Sequence, residues 1–456
     1  MSDFLFKDFK AVSAKEWKQQ IQVDLKGADY NETLIWKNLE GIDVKPFYNS
    51  EDYDGGFYKN SYVKENWKVC QKIFIDDETI ANRLALDAIN RGAEAIYFSS
   101  EKEFDIPSTF NDFQFSDIKI YINLKFLSED FYNRLILFLS EKNASVYYNI
   151  DIIGNLAKEG NWYKNLKGDH SILEHILKNN LNKNILSVDA TLYQNAGASM
   201  IQQLAYSLAH ANEYLNHFSK SDHKPTLTFK VAVGTNYFFE IAKIRALRNL
   251  FTLLAKEYGI NEECHIIIFP SKRNKTIYDY NVNLLRTTTE YMSAILGGAN
   301  TVCSLSYDAL YHKSNEFGER IGRNQLLILK SESYFNSENN PTEGSYYIEY
   351  LTQQLTEKAL TLFKEIESNG GFLKQLKEGI IQRKIKESAK KEQQLFDEGA
   401  IVLLGTNKHP NPNDFMKNEL EIYPFVKMKP RKTLIEPIIE RRISETLEQA
   451  RLENEK

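Results

Sequence analysis

The sequence predicts an α/β protein whose main domain is a (β/α)8 barrel of the TIM type. Short runs rich in β-branched and aromatic residues alternate with segments of helical spacing, as in folds built from parallel βαβ units. Most of these runs are nearly continuous in apolar residues, as expected of parallel strands buried on both faces. Eight runs are predicted to be the barrel strands: residues 94–98, 119–125, 145–151, 185–190, 226–234, 265–270, 301–307 and 401–405.

The first 66 residues are predicted to form an N-terminal extension. Residues 14–25 have the spacing of an amphipathic helix, whereas residues 46–62 carry tyrosines and glycines with little periodicity. Neither stretch shows the strand and helix alternation of a barrel layer. The barrel is therefore predicted to occupy residues 67–406.

Residues 281–307 show the alternation most clearly. Apolar residues that include Leu284, Tyr291 and Ile295 lie three, four and seven positions apart, which places them on one helix face. Gly297 and Gly298 can end that helix because glycine adopts a left-handed conformation without steric cost. A short strand follows, so this stretch is predicted to be the helix and strand of a parallel βαβ unit.

The seventh and eighth predicted strands are separated by residues 309–400, far more than one crossover helix requires. Helical spacing recurs at residues 317–331, 347–367 and 372–392, and the charges of the last segment are expected to form a solvated face. We therefore predict a helical insertion before the eighth strand. Residues 407–456 are predicted to be a C-terminal linker followed by a charged helix.

Composition limits the classes of function. The chain has 456 residues, of which 42% are hydrophobic, and a formal net charge of −5. That mild acidity gives no reason to expect nucleic acid or an anionic membrane as a partner. The chain opens without the apolar core of a signal peptide, and no apolar run is long enough to cross a membrane, so a cytoplasmic location is expected. Cys70, Cys264 and Cys303 lie far apart, which argues against a disulfide framework.

No histidine is predicted to hold a metal ion. His210 has Glu213 one helical turn later, and His170 and His175 show an H-x4-H spacing. Because no close cysteine pair accompanies them, structural or solvent-exposed roles are expected.

Several motifs resemble one enzyme family in order along the chain. They are N-x-L-R-T-x-x-E-x-x-x-A-x-x-G-G from Asn283 to Gly298, F-x-x-R-I-x-R-N from Phe317 to Asn324, and GSYYIEYLT from Gly344 to Thr352. The sequence thereby resembles the adenosylcobalamin-dependent acyl-CoA mutases, above all methylmalonyl-CoA mutase, and within that family the small subunit of the heterodimeric bacterial enzyme. The resemblance covers nearly all of the chain.

The positions that touch substrate in the family differ here. Lys72, within CQKIFIDDETIAN, stands where the family has a tyrosine beside the substrate. Leu192, within DATLYQNAGA, stands where a histidine donates to the thioester carbonyl, and Cys303, within CSLSYD, replaces another histidine. The resemblance therefore implies no catalytic residue in this chain. Four charged residues that could have been catalytic are interpreted as structural ion pairs: Glu240, Arg245, Arg286 and Asp308.

The family's cofactor is not expected to bind to this chain. A base-off cobalamin domain carries D-x-H-x-x-G, and none of the eight histidines has an aspartate two positions earlier. About fifty residues follow the last predicted strand, too few for a flavodoxin-like domain, so no cobalamin-binding domain is expected. The resemblance places adenosylcobalamin in a partner, the large catalytic subunit.

Two functions stay open. The first is a non-catalytic small subunit that stabilises the large subunit of a heterodimeric mutase, with an N-terminal arm that lies across the partner or folds back on its own barrel. The second is a self-standing acyl-CoA-binding protein or remodelled barrel enzyme that uses Lys72, Cys303 and Asp308. An open polar barrel mouth at Lys72 and Cys303 would favour the second, whereas an axis filled by apolar side chains would favour the first.

Overall fold

The fold is taken from a computed structural model that describes residues 8–52, 66–180, 184–219, 225–427 and 430–455. Part of the tyrosine- and glycine-bearing stretch, residues 53–65, lies outside the described residues, and so does His223. The N-terminal extension contains two helices and a two-stranded antiparallel sheet: α1 (Ala14–Asp24), α2 (Tyr30–Leu34), β1 (Trp36–Lys37) and β2 (Asp43–Val44).

Eight parallel strands form a closed barrel, in the order β10-β3-β4-β5-β6-β7-β8-β9. Each strand from β3 onward lies beside the next one along the chain, and the barrel closes where β10 pairs with β3, with Cys303 opposite Cys70. The strands are β3 (Lys68–Phe74), β4 (Ala95–Ser100), β5 (Lys119–Leu124), β6 (Ser145–Ile150), β7 (Asn184–Asp189), β8 (Leu227–Val233), β9 (His265–Pro270) and β10 (Thr301–Cys303). The predicted fold class is confirmed.

Helices surround the barrel and bury an apolar face against the outer side of the strands. Those between the strands are α3 (Glu78–Asn90), α4 (Ile106–Thr109), α5 (Glu129–Glu141), α6 (Ile152–Glu159), α7 (Leu166–Asn179), α8 (Thr191–Asn195), α9 (Met200–His217), α10 (Tyr237–Tyr258) and α11 (Val282–Leu296). The helix α11 ends where predicted, and Gly298 adopts the left-handed conformation with a φ of 89°. After β10 come α12 (Glu316–Ser331), α13 (Tyr346–Ser368), α14 (Phe372–Lys377), α15 (Ile380–Asp397) and α16 (Glu445–Glu453).

The prediction of a barrel strand at residues 401–405 was wrong. Within that run only Leu404 makes a bridge, to Lys408, and the barrel begins instead with β3, which the sequence pattern did not reveal. Residues 309–400 therefore follow the last strand and do not interrupt the barrel. The helix α12 contacts β3 and α11, so it takes the place of the eighth barrel helix, while α13 packs against α9 and α10.

The N-terminal extension contacts its own barrel through residues 36–48. Trp36 packs edge-on against Phe239, with ring centroids 5.8 Å apart, and Tyr48 stacks on Tyr347 at 5.1 Å. In contrast, α1 buries none of its residues. Among the described residues, no helix is both long and apolar enough to span a membrane.

Candidate functional site

The barrel interior is filled by a cluster that we call the barrel plug. Its buried residues are Cys70, Ala95, Tyr97, Tyr121, Ile267 and Cys303, with Tyr147 and Phe269 packed against them. Tyr97 on β4 reaches Phe269 on β9, a strand that is not its neighbour, with ring centroids 5.2 Å apart. This contact therefore crosses the barrel axis. Layers of packed side chains are what fill the interior of an eight-stranded barrel of this type.

The hydroxyl group of Tyr121 in the plug is hydrogen-bonded to two side chains beside the plug. The Tyr121 hydroxyl lies 2.8 Å from His265 Nε2 and 2.7 Å from Thr301 Oγ1. The Tyr121 ring stacks on the Tyr147 ring, with centroids 5.0 Å apart. Since buried polar groups are costly when unpaired, these hydrogen bonds stabilise a closed interior. Packed side chains therefore occupy the barrel axis at this level.

Above the plug, at the carboxyl ends of the strands, lies a polar mouth. In barrels of this type the binding sites are built on that face. Lys230 on β8 spans its floor and donates to Asp189 Oδ2 at 2.7 Å and to Asn123 Oδ1 at 3.1 Å. A cavity of about 660 Å³ opens over the ends of β5 to β8 and is lined by residues that include Lys125, Asn149, Lys158 and Lys230.

Lys72 lies at the carboxyl end of β3, and its side chain is reached by water although the walls of the mouth surround it. Partial loss of solvent, followed by the positive charges of Lys272 and Lys158, lowers the pKa of Lys72 to about 8, while Cys303 acts in the opposite direction. Burial and like charges both disfavour the protonated amine. Of the three substituted positions, Lys72 is the one that faces the open mouth.

Cys303 lies in the plug and has no exposed surface. It is opposite Cys70 across the seam between β10 and β3. Burial, together with the neighbouring Cys303, raises the pKa of the Cys70 thiol well above its usual value. Because the thiolate is the reactive form of cysteine, a buried thiol of this kind is a poor nucleophile.

Leu192 lies on α8 and belongs to the hydrophobic core between the barrel and its outer helices, with an exposed fraction of 3%. On the same short helix, Gln194 accepts a hydrogen bond from Lys243 Nζ at 2.7 Å. The leucine is thus a packing residue. A side chain without donors cannot polarise a carbonyl group at this position.

Of the four charged residues predicted to form structural ion pairs, Arg245 and Glu240 pair with charged side chains, whereas Arg286 hydrogen-bonds to neutral groups. Arg245 on α10 donates to Glu349 on α13 at 2.6 Å, and Glu240 pairs with Lys243 one turn later at 2.6 Å. Arg286 donates to the carbonyl oxygen of Leu404 at 2.7 Å, which fastens the segment after α15 to α11.

Asp308 is buried beside the end of the barrel. It accepts hydrogen bonds from Asn315 Nδ2 at 2.8 Å and from Ser306, and its Oδ2 lies 3.2 Å from His312 Nδ1. These partners lie within eight residues of it in the chain. The structure thus groups Asp308 with its own loop and not with Lys72 and Cys303.

A buried network beside the mouth escaped the sequence analysis. Asp151, at the end of β6, accepts from His210 Nε2 at 2.9 Å and from the Tyr214 hydroxyl at 2.7 Å, while His210 Nδ1 lies 2.9 Å from the Tyr193 hydroxyl. Burial alone would raise the pKa of Asp151, but the interactions with His210, Lys230 and the Gly154 N–H together outweigh it and bring the pKa to about 2. The carboxylate is therefore charged and anchors α6 through the Gly154 N–H at 2.7 Å.

The other histidines and Glu213 have separate partners. Glu213 accepts from the backbone N–H of Leu373 at 2.8 Å, so the His210 and Glu213 spacing does not mark a common site. His175 Nδ1 lies 3.2 Å from a carboxylate oxygen of Glu129, and His170 packs against His217 with ring centroids 4.6 Å apart. Within the described ranges, no group of three or more His, Cys, Asp or Glu side chains is arranged to hold a metal ion.

Comparisons with known proteins agree with this architecture. Residues 140–452 match the family described as Methylmalonyl-CoA mutase. The methylmalonyl-CoA mutase small subunit of Porphyromonas gingivalis is 31% identical over 444 residues, an alignment that covers 89% of this chain and 71% of that protein. The methylmalonyl-CoA mutase of Rhizobium meliloti is 27% identical over 510 residues, with 99% and 70% covered.

The large subunit from Porphyromonas gingivalis also matches, at 32% identity over 260 residues, which cover 55% of this chain and 36% of that subunit. The family match thus spans most of this chain, and the similarity to the small subunit extends over nearly its whole length. This chain belongs to the methylmalonyl-CoA mutase family.

Proposed function

We propose that this chain is the small, non-catalytic subunit of a heterodimeric methylmalonyl-CoA mutase, the isomerase that interconverts (R)-methylmalonyl-CoA and succinyl-CoA. Its role is to stabilise the large catalytic subunit. The observation that carries the proposal is the barrel plug, because Tyr97, Tyr121 and Phe269 fill the axis along which the family binds acyl-CoA.

The three substituted positions support the same conclusion. Cys303 is part of the plug and Leu192 is part of the outer core, so both contribute to packing. Lys72 reaches the mouth, but its ammonium group differs in charge and shape from the tyrosine that the family places there. Catalytic groups that act as a unit lose most of their effect when one of them is missing.

A pair of relatives in one organism supports a large subunit as the partner. Porphyromonas gingivalis has proteins described as the small and the large subunit of the mutase, and this chain matches both. The N-terminal extension exposes apolar residues for such a contact, namely Phe9, Val12, Trp17 and Val23. Obligate interfaces are large and hydrophobic, and clustered aromatic residues are common in their cores.

Adenosylcobalamin is assigned to the large subunit. Among the histidines beside the mouth, His210 already uses both ring nitrogens, for Asp151 and Tyr193, so it has no nitrogen to offer to cobalt. His210 therefore cannot serve as an axial ligand. A cytoplasmic location for the heterodimer belongs to the same proposal.

One observation favours the alternative, an acyl-CoA-binding protein or remodelled barrel enzyme. Lys72 is accessible in a polar mouth and has a lowered pKa, which are the features of an activated lysine. Against it, Cys303 is buried and Asp308 is bound within its own loop, so the three residues do not form a common site.

Isolation of the tagged chain from its native source, with mass spectrometry of whatever co-purifies, tests the partner. We expect a family large subunit in stoichiometric amount. The purified chain alone should leave the absorbance of added adenosylcobalamin unchanged and produce no succinyl-CoA, whereas the reconstituted pair should turn over. Turnover by the isolated chain would refute the non-catalytic role, and the absence of a large subunit would refute the heterodimer.

A further inference from the structure

The N-terminus of α9 is completed by a residue from the N-terminal extension. The first N–H groups of a helix have no acceptor within the helix and need other partners. Ser199 and Gln202 satisfy two of these groups reciprocally, since each side chain accepts from the backbone N–H of the other residue. The N–H groups of Met200 and Ile201 donate instead to the two carboxylate oxygens of Glu40, at 2.9 and 3.1 Å. A distant part of the chain therefore caps this helix.

The turn between β1 and β2 holds Glu40 in place for this contact. The Asn38 side chain accepts from the Glu40 N–H at 2.9 Å and donates to the carbonyl oxygen of Ile42 at 2.6 Å. Gly41 adopts the left-handed conformation in this turn, with a φ of 62°. Ile42 is 1% exposed and belongs to the main hydrophobic core. The turn thus presents a carboxylate to α9 and an apolar side chain to the core.

We call residues 36–48 the strap. Trp36 and Tyr48 attach the strap to the barrel helices through their rings, and Glu40 adds a charged contact. Burial raises the pKa of the Glu40 carboxyl, whereas the N–H groups of α9 and the ammonium group of Lys243 act in the opposite direction. A carboxylate at the N-terminus of a helix is also stabilised by the helix dipole. While the strap is docked, the negative charge of Glu40 is therefore compensated.

The helix α1 is attached to the strap and to the residues directly after it. Trp17 packs edge-on against Phe47 of the strap, with ring centroids 6.2 Å apart. The Ala14 N–H donates to the Glu51 carboxylate at 3.3 Å. Since α1 itself buries none of its residues, its position depends on where the strap lies.

We infer that Glu40 fastens the strap to the N-terminus of α9 and thereby positions α1 for assembly with the partner subunit. Without this carboxylate, two N–H groups of α9 lose their acceptor, and the strap keeps the ring contacts of Trp36 and Tyr48. The strap then leaves the barrel more often, and α1 moves with it. The positioning of α1 rests on the proposed heterodimer, whereas the attachment of the strap does not.

Hydrogen–deuterium exchange of the full-length isolated chain measures how often the strap leaves the barrel. Glu40→Gln turns one acceptor into a donor, and Glu40→Lys places a positive charge against the helix N-terminus and Lys243. We expect exchange in peptides from residues 36–48 and at the N-terminus of α9 to rise in that order. The increase for Glu40→Lys should be about tenfold or more, as for the loss of a charge-assisted hydrogen bond. Glu32→Lys, the same charge change at an exposed residue of α2, is the control and should leave this exchange unchanged.

The same variants are then titrated with the large subunit that co-purifies with the unmodified chain. A protein whose binding-competent form is less populated binds its partner more weakly in proportion. Glu40→Lys should therefore weaken the heterodimer about tenfold or more, and Glu32→Lys should not. Exchange in the strands β3 to β10 should stay at the level of the unmodified chain, because the strap lies outside the closed sheet.

Each part of the inference can fail separately. Unchanged exchange of the strap in Glu40→Lys would refute its attachment through Glu40, and so would an equal rise in the barrel strands. Faster exchange of the strap with an unchanged heterodimer affinity, or an equal loss of affinity in Glu32→Lys, would refute the positioning of α1. If the unmodified chain binds no large subunit, the heterodimer and the positioning of α1 are both refuted, and the exchange data still decide the attachment of the strap.

Discussion

Two neighbouring inward positions on β3 have opposite environments. Cys70 is fully buried in the plug, whereas Lys72, two residues later, is open to water. The boundary between the sealed interior and the mouth therefore falls between them. The chemistry of each side chain follows from its side of that boundary, since burial raises the pKa of the thiol and the crowded mouth lowers that of the amine.

Lys72 should react with acylating reagents at a lower pH than ordinary lysines. With a pKa of about 8, its neutral amine is present at pH 8 and its reaction rate should level off above that pH. Exposed lysines in general keep gaining reactivity up to about pH 10, because the ordinary lysine pKa is ~10.4. The exposed Lys364 on α13 is the comparison. Trace acetylation between pH 7 and 10 with peptide mass spectrometry measures both profiles. Parallel profiles for the two lysines would contradict the lowered pKa.

Restoring a histidine at Leu192 should not create a mutase. The imidazole of Leu192→His would enter a packed apolar site, and an unsatisfied buried polar group costs about 1–3 kcal/mol. We expect a lower melting temperature and no succinyl-CoA from the purified variant with added adenosylcobalamin. Leu192→Met is the control, since a swap of similar volume usually costs less than about 1.5 kcal/mol. Product above the background of the unmodified chain would overturn the expectation.

Family motifs in the sequence located the substituted positions but not the network around Asp151. Lys72, Leu192 and Cys303 could be named from the sequence because family motifs surround them. In contrast, Asp151 and His210 are 59 positions apart, and only the fold brings them to 2.9 Å. A hydrogen bond between distant segments leaves no periodic pattern in the sequence. The same holds for the pairing of Cys70 with Cys303.

At the scale of elements, seven of the eight predicted strands overlap barrel strands, and the exception has a physical cause. Gln71 and Lys72 interrupt the apolar run of β3 because one reaches Arg323 on α12 and the other faces the mouth. Residues 401–405 are apolar enough to resemble a strand, but Leu403 and Ile401 pack beside α15 in a small separate cluster. Polar residues that contact neighbouring elements can mask the apolar pattern of a strand. Apolar residues that pack a loop can produce the pattern of a strand where none forms.

The ion pair between Arg245 and Glu349 should matter more than its surface counterparts. Both side chains are almost fully buried and join α10 to α13. Removing one partner leaves a buried charge, which typically costs about 3–5 kcal/mol. We expect Glu349→Ala to lower the free energy of unfolding in that range. For Glu387→Ala, which breaks an exposed pair with Lys384, the loss of unfolding free energy should be much smaller. Urea unfolding measures both, and equal losses would contradict the structural role.

At the scale of the whole molecule, side chains fill the barrel interior and helices cover its outer side. Only part of the N-terminal extension packs on the barrel. Residues 36–48 pack on the barrel, and the exposed helix α1 precedes them. The two parts of the extension are therefore expected to have different roles, one in the stability of the chain and the other in assembly with a partner. The part of the arm that packs on the barrel should stabilise the chain itself, while the exposed part is available to a partner.

Deletion of residues 1–25 should therefore weaken the heterodimer without destabilising the barrel. Since α1 buries no residue, the melting temperature of the isolated chain should stay close to that of the full chain. Size-exclusion chromatography with the large subunit should show dissociation at concentrations where the full chain stays bound. As a control, Trp36→Ala removes the contact with Phe239 and should lower the melting temperature of the isolated chain. A complex that elutes unchanged after the deletion would assign α1 to its own barrel.

The seam between β10 and β3 also has a consequence for how the protein is made. The strand β10 has three residues, and its partner β3 leaves the ribosome more than two hundred residues earlier. At a synthesis rate of ~5–20 residues per second, the open edge of β3 waits roughly 10–50 s for its neighbour. An unpaired strand edge invites pairing with other chains. A chain that stops before Thr301 should therefore aggregate, because the barrel has no smaller closed form to adopt.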